Sequence, residues 1–144
     1  MTIKGSRSDD NLAGTSDDDI FRFGNALTAA DQIDGGTGVD RVAINGDSYA
    51  AGLVFGAATM TNVEQLYVAS GHSYNLTFDD ANIAAGKSLT VIAGNLGATD
   101  QLTIDGSAEL DGRFIIRAGA GDDVLTGGAQ GDVFHLSHKH VCLP

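Results

Sequence analysis

The chain has 144 residues, of which 20 are glycine and one is proline, and its formal net charge is −11 from 19 acidic and eight basic side chains. So few basic side chains exclude binding to a nucleic-acid backbone, which needs clusters of Lys and Arg, and they favour cations as partners. No apolar run reaches the roughly 18 residues of a membrane span, and residues 1–11 lack the apolar core of a signal peptide. With 42% apolar residues, we expect one folded domain.

Two nine-residue units open the chain in tandem, "GSRSDDNLA" at 5–13 and "GTSDDDIFR" at 14–22. Both keep the first glycine of the template G-G-x-G-x-D-x-U-x, and both place an aspartate two residues before U, a large apolar residue. The unit "GGTGVDRVA" at 35–43 fits the template fully, and "AGAGDDVLT" at 118–126 and "GGAQGDVFH" at 127–135 each depart from it at one position. Because turn preference alone does not produce a fixed nine-residue period, these five matches indicate a repeat architecture.

A longer interval lies over the short one. The spacing is 21 residues from Asp10 to Asp31, from Asp19 to Asp40 and from Asp111 to Asp132. Asp100 and Asp123 stand only slightly further apart. We therefore predict that the members of each pair lie on neighbouring coils of a stacked structure.

Short strand-like runs follow the same interval in two series, with apolar and polar residues largely alternating. The first series comprises residues 20–23, 41–44, 64–69, 88–93, 113–117 and 132–136, and the second passes through Leu12, Ile33, residues 52–56, Leu76, Leu102 and Leu125. Strands this short bury their apolar side chains only by stacking on neighbours. The sequence thus predicts an all-β fold, a right-handed parallel β-solenoid of the β-roll or β-helix type, with about six coils and two short strands per coil.

We expect residues 1–136 to form this single domain. Residues 79–87 read as a loop or one-turn helix inserted between coils, capped by Asp79 or Asp80, running through Ile83 and Ala85 and closed by Gly86. Residues 44–99 contain no full repeat, so a continuous run of cation sites through the middle is doubtful. Residues 137–144 are expected to be a disordered tail or an expression remnant, and the terminal "HLSHKHVC" is not taken as a transition-metal site.

Stacked aspartates raise an electrostatic problem. At the spacing of neighbouring strands, two carboxylates repel by about 1 kcal/mol at the dielectric constant of water and by about 3–4 kcal/mol at an effective value near 20. A cation between them would offset this repulsion. The predicted turns offer only carboxylate and carbonyl oxygens, which suit calcium; magnesium needs a tighter octahedron and is the weaker candidate.

The units at 5–22, 35–43 and 118–135 resemble the calcium-binding RTX (repeats-in-toxin) nonapeptides of bacterial proteins exported by type I secretion. The resemblance implies a parallel β-roll that holds calcium between successive turns. It implies ligation by the sixth-position aspartates and by main-chain oxygens of the glycine turns. These ligands are Asp10, Asp19, Asp40, Asp123 and Asp132, with Gly36, Gly38, Gly119 and Gly121; the longer interval adds Asp31, Asp100 and Asp111.

The resemblance further implies a non-catalytic structural module of a secreted, extracellular protein, which stays loose where calcium is scarce and orders where calcium is millimolar. Sites of this exposed type bind calcium at about 10⁻⁴ to 10⁻³ M. The acidic C-terminal export signal of the family is not found in "LSHKHVCLP", so we expect a fragment of a larger chain.

Two other classes of function stay open. One is a catalytic or non-catalytic β-helix part of an extracellular enzyme acting on polysaccharides or lipids, although no G-x-S-x-G or H-E-x-x-H motif occurs. The other is an adhesin or surface-layer segment that self-associates through an uncapped solenoid end or contacts glycans. The "SGHS" segment at 70–73 reads as an exposed polar turn in both cases.

Overall fold

The computed structural model describes residues 1–136 and the backbone of the short strand at 141–142, and it is built from short strands with two turns of 3₁₀ helix. His138 and His140 and most of the predicted tail lie outside these residues. The strands are β1 (Thr2–Lys4), β2 (Asn11–Ala13), β3 (Ile20–Gly24), β4 (Gln32–Asp34), β5 (Arg41–Ile44), β6 (Leu53–Val54), β7 (Gln65–Val68), β8 (Tyr74–Thr77), β9 (Ser88–Ile92), β10 (Leu102–Asp105), β11 (Arg113–Arg117), β12 (Asp123–Thr126), β13 (Val133–His135) and β14 (Val141–Cys142). The 3₁₀ helices span Asp47–Ala51 and Asp80–Asn82.

The strands alternate between two walls of a coil. All odd-numbered strands form one seven-stranded sheet in chain order, and the even-numbered strands form a two-stranded sheet, β2–β4, and a five-stranded sheet from β6 to β14. Every pairing is parallel. This confirms the predicted parallel β-solenoid with two short strands per coil, and six coils connect the seven strands of the longer sheet. Among the described residues, no helix has the length and apolar character needed to cross a membrane.

The coils differ in length. In the seven-stranded sheet, one row of core positions lies in register through Ile3, Phe21, Val42, Leu66, Val91, Ile116 and Phe134. The residue numbers along this row increase by 18, 21, 24, 25, 25 and 18. The first and last coils therefore contain two nonapeptides each, and the middle coils are wider.

The wider middle coils enclose the aromatic part of the core. Phe55 stacks on Phe78 with ring centroids 4.7 Å apart, and Phe78 packs against Phe114 at 5.3 Å. Tyr49 stacks on Tyr74 at 5.9 Å, and all five rings are buried. A coil of two nonapeptides has no comparable interior, and its core residues Ile3, Leu12 and Phe134 are only partly buried.

The segment 79–87 begins with a capped turn. Asp79 accepts a hydrogen bond from the Ala81 amide, and the Asn82 side chain accepts the Asp79 amide in return. The buried Asn82 amide group also donates to the carbonyls of Gly56 and Met60 on the preceding coil. The helix ends at Asn82, before the Ile83–Ala85 stretch that was expected to be helical, because Ile83 is extended (φ −124°, ψ 119°) and buries its side chain in the core.

Tyr49 carries a buried hydroxyl group within this core. It donates to the Gly24 carbonyl at 2.6 Å and accepts from the Leu27 amide at 3.0 Å. Burial raises the pKa of Tyr49 to about 12 from 10.0.

Alkaline pH should weaken the fold through this residue. Above pH 10 the unfolded chain releases the phenolic proton that folded Tyr49 retains, so the free energy of unfolding falls as pH rises from about 10 to about 12. Denaturant unfolding across this range, in constant millimolar calcium, should show a shallower fall for Tyr49→Phe than for the wild type. An equally steep fall in the variant would contradict this assignment.

At neutral pH, the loss of stability in Tyr49→Phe can be compared with the loss in Tyr67→Phe, which removes a less buried hydroxyl group. Tyr49→Phe leaves the buried Leu27 amide unpaired, whereas the Gly24 carbonyl keeps the Asn45 amide, and the loss should cost about 1–3 kcal/mol. Tyr67→Phe removes only a half-exposed acceptor of one 3.3 Å bond from Asn95, and should cost less than about 0.5 kcal/mol.

Candidate calcium-binding turns

The turns 14–19 and 35–40 nest directly on each other. Gly36 and Gly38 have φ angles of 86° and 106°, a conformation that residues with a Cβ rarely adopt. The Thr37 amide donates to the Thr15 carbonyl, and the Val39 amide donates to the Asp18 carboxylate at 2.8 Å. Backbone and side-chain oxygens of one turn therefore face the amides of the next.

The tightest approach is at the first glycine of each turn. A Cβ on Gly14 would overlap the Gly35 carbonyl and lie 2.8 Å from Oδ2 of Asp19. A Cβ on Gly35 would overlap the Asn62 carbonyl and lie 2.8 Å from Oδ2 of Asp40. The space that a side chain would fill is thus lined by carbonyl and carboxylate oxygens, the ligand type that calcium prefers.

The aspartates of the turns accept amides in two ways, from their own turn and from the preceding coil. The bonds within turns run to Asp10 from Ser6 (2.6 Å), to Asp19 from Thr15 (2.6 Å), to Asp31 from Thr28 (2.7 Å), to Asp100 from Gly97 (2.9 Å) and to Asp132 from Gly128 (2.8 Å). The bonds between coils run to Asp31 from Asp10 (2.9 Å), to Asp40 from Asp19 (2.8 Å), to Asp100 from Gly71 (3.0 Å), to Asp123 from Leu102 (2.8 Å) and to Asp132 from Phe114 (2.7 Å). The repeat carboxylates are thus held in place by backbone amides.

These hydrogen bonds distinguish two of the predicted aspartate pairs, which are joined directly, from the other two, which are not. The pairs Asp10–Asp31 and Asp19–Asp40 are joined directly, each by an amide-to-carboxylate bond. Asp100 and Asp123 lie on neighbouring coils but not opposite each other, since the Asp123 carboxylate accepts the Leu102 amide and Asp100 accepts amides of Gly71 and Gly97. The reason is that the turn 94–100 adds residues between β9 and β10 and shifts the register.

Asp132 and Asp111 also lie on neighbouring coils without being opposite each other. The last coil is 18 residues long, so Asp132 lies opposite Phe114 and accepts its amide. Asp111 is exposed and belongs to a different group of acidic side chains, with Asp80 and Glu109.

Glu64 also belongs to the row of carboxylates that accept amides from the preceding coil, although it was not among the predicted site residues. It accepts the amide of Asp40 at 2.8 Å and thus takes, one coil further on, the place that Asp40 has above Asp19. The signal was present in the sequence, because Glu64 stands two residues before the buried Leu66, the spacing that marks the repeat aspartates.

The row of carboxylates in the stacked turns carries negative charge that no Lys or Arg of residues 1–136 neutralises. Oδ2 of Asp40 is buried and has no hydrogen-bond partner among the described residues. Burial, and then the neighbouring carboxylates of Asp19, Asp18 and Asp34, raise the pKa of the Asp40 carboxyl, while the Asp19 amide opposes this shift. Within residues 1–136, no Lys or Arg forms a salt bridge with an acidic side chain.

Asp19 differs from Asp40 in having a positive partner. The Thr15 amide, the Thr15 hydroxyl and the N-terminal ammonium group hold the pKa of Asp19 below its usual value, against the effect of burial. The ammonium nitrogen of Met1 lies 3.2 Å from Oδ1 of Asp19. The less compensated carboxylate of these two turns is therefore that of Asp40.

Comparison with known proteins agrees with this geometry. A family model described as the RTX calcium-binding nonapeptide repeat matches the chain in four copies, at residues 2–26 and 115–136. These two ranges carry RTX repeats, and RTX repeats bind calcium. Searches of curated proteins and of solved structures gave no match.

The matched RTX repeats coincide with the two short coils at the ends of the solenoid. In the C-terminal coil, Gly119 and Gly121 lie against the preceding coil, where a Cβ on Gly121 would overlap the Asp100 carbonyl. Gln130 stands where the RTX template has glycine, and its side chain donates to the Leu110 carbonyl at 3.0 Å. The unit at 35–43 lies outside the matched ranges, although its turn stacks on the RTX turn 14–19.

A single methyl group tests whether the oxygen-lined corner is as tight as described. Gly35→Ala forces its Cβ into a backbone carbonyl and should lower the free energy of unfolding by about 1–3 kcal/mol. Gly94→Ala is the matched control, since its Cβ meets nothing within 4 Å, and should change stability by less than about 0.5 kcal/mol. Equal effects of the two substitutions in denaturant unfolding would argue against the close approach.

Proposed function

We propose that this chain is a calcium-binding structural module of a secreted bacterial RTX-like protein, without catalytic activity of its own, and that it orders on binding calcium outside the cell. The observation that carries the proposal is the buried Asp40 carboxylate, which has an unpartnered oxygen at a corner lined by carbonyls of stacked glycine turns. The RTX repeats at both ends of the chain support the same conclusion.

The ligand set of the proposal follows the turns. The carboxylates are those of Asp10, Asp19, Asp31, Asp40, Asp100, Asp123 and Asp132, with main-chain oxygens of the turns that contain Gly36, Gly38, Gly119 and Gly121. Asp40 has the strongest support, because one of its oxygens lacks a protein partner among the described residues. Both carboxylate oxygens of Asp31 and of Asp132 accept amides, and each oxygen retains a lone pair for a cation.

The coupling of calcium to folding follows from the charge. The chain has 19 acidic and eight basic side chains, and the repeat aspartates are held by backbone amides rather than by Lys or Arg within residues 1–136. Without cations, this repulsion opposes the compact state, whose total stability is typically about 5–15 kcal/mol. A calcium concentration of about 100 times Kd stabilises the folded state by about 2.7 kcal/mol per site.

Calcium titration of the chelator-treated chain tests this function. Far-ultraviolet circular dichroism should show a gain of β structure as CaCl2 is raised through the millimolar range. The melting temperature should rise by about 5–10 °C for each site once calcium reaches 100 times Kd, about 10–100 mM for sites of this type. An equal concentration of MgCl2 should give a smaller response. A spectrum and melting temperature that do not change with calcium would overturn the proposal.

The variant Asp40→Asn tests whether Asp40 is one of the calcium ligands. The variant keeps an oxygen to accept the Asp19 amide but removes the charge, so it should match or exceed the stability of the wild type in chelator and lose about 2.7 kcal/mol of the calcium-induced gain. Asp47→Asn is the charge-matched control, because its side chain is 88% exposed and lies outside the repeat turns. If both variants keep the full calcium response, Asp40 is not a ligand.

A further inference from the structure

Three acidic side chains meet outside the matched RTX repeats. Asp80 lies in the second 3₁₀ helix, and Glu109 and Asp111 lie in the loop between β10 and β11, one coil further on. One carboxylate oxygen from each residue falls within 4.8 Å of the other two. Glu109 is fully buried, Asp80 is half-buried and Asp111 is exposed. The group therefore runs from the interior to the surface.

Glu109 presents a buried oxygen that the protein does not satisfy. Its Oε1 accepts the amides of Gly112 at 2.6 Å and Asp111 at 3.3 Å, whereas its Oε2 is buried without a hydrogen-bond partner among the described residues. On the facing side, Oδ1 of Asp80 accepts the Leu110 amide at 2.7 Å. An unpaired buried carboxylate oxygen beside a second carboxylate is costly unless a cation or a shared proton lies between them.

The loop that carries Glu109 is held rigidly. From the coil above, the Ala129 amide donates to the Glu109 carbonyl at 2.9 Å, and Gln130 donates to the Leu110 carbonyl at 3.0 Å. From the coil below, Ile83 fills the space beside Gly112, where an added Cβ would overlap its side chain. These contacts fix the backbone of the loop, and the Glu109 carboxylate cannot turn away without losing the Gly112 and Asp111 amides.

We propose that Asp80, Glu109 and Asp111 form a calcium site distinct from the RTX turns. Carboxylate oxygens at this separation suit a hard cation with six to eight oxygen ligands, and the exposed side at Asp111 leaves room for water ligands. The site differs from the repeat turns in using a buried glutamate and a residue of a 3₁₀ helix. It supplies a cation beside the wide middle coils and does not depend on the function proposed for the repeats.

Glu109→Gln is the direct test. Gln keeps the oxygen that accepts the Gly112 amide, and its NH₂ group donates to Asp80 in place of a cation, so the variant should be at least as stable as the wild type in chelator. Equilibrium dialysis with CaCl2 should show one calcium ion fewer per chain, and the calcium-induced rise in melting temperature should be smaller. Asp111→Asn, at an exposed position, should fold normally and weaken the same site.

Comparison with Asp40→Asn distinguishes the Glu109 site from the calcium-binding function proposed for the repeat turns. If each single variant loses one ion and the double variant loses two, both sites exist. A loss in Asp40→Asn alone, with wild-type stoichiometry and affinity in Glu109→Gln and Asp111→Asn, would overturn this site and leave the repeat function standing. Equal destabilisation of Glu109→Gln in chelator and in calcium would also overturn it, because the carboxyl pair would then be structural and share a proton.

Discussion

The fold depends on buried carboxylates that accept backbone amides from the neighbouring coil. Asp31, Asp40 and Asp123 each take an amide 21 residues earlier in the chain, and all three are almost completely buried. The bond fixes the register of successive turns, since it joins an acidic side chain at one corner to the backbone of the coil before it. It also places negative charges in a row at the spacing of the strands. The contact that orders the solenoid is therefore also the source of its demand for cations.

The two kinds of coil meet this demand in different ways. The RTX coils at the ends are the shortest and bury little, with Ile3, Leu12 and Phe134 only partly covered. The middle coils are longer, and their extra length admits stacked Tyr and Phe rings and the polar anchor Asn82. Burial of apolar surface, at about 25 cal/mol per Å², thus stabilises the middle in its own right, whereas the ends rely on their turns.

The sequence predicted the strands well because each carries its own signal. An apolar residue two places after an acidic one marks the inner row, and this mark survives outside the full repeats at Glu64 and Leu66. Pairing across coils was less predictable. Leu102 lies opposite Tyr74 on one wall, whereas Thr90 lies opposite Gln65 on the other, so the two walls advance along the chain by different amounts. Extra residues in a corner change the partner of an aspartate without changing the strand pattern.

The acidic group around Glu109 shows a second limit. Nothing in "SAELDGRF" distinguishes Glu109 from a solvated glutamate, since its burial results from turn 128–130 above it and Ile83 below it. Such a site is produced by three coils together, and no single segment contains its pattern. The sequence can show which residue types are present, but burial of a charge is a property of the assembled stack.

The placement of the RTX repeats on both sides of the middle coils has a consequence for stability. Among the described residues, the coils that flank the inner apolar rows on either side are the ones rich in aspartate turns. Phe21 and Ile116, both fully buried, lie directly beneath Ile3 and Phe134 in the outermost strands of the seven-stranded sheet. On the function proposed above, calcium bound at the end turns would order the end coils and keep the inner rows from water, and would thereby stabilise an apolar core that it does not touch.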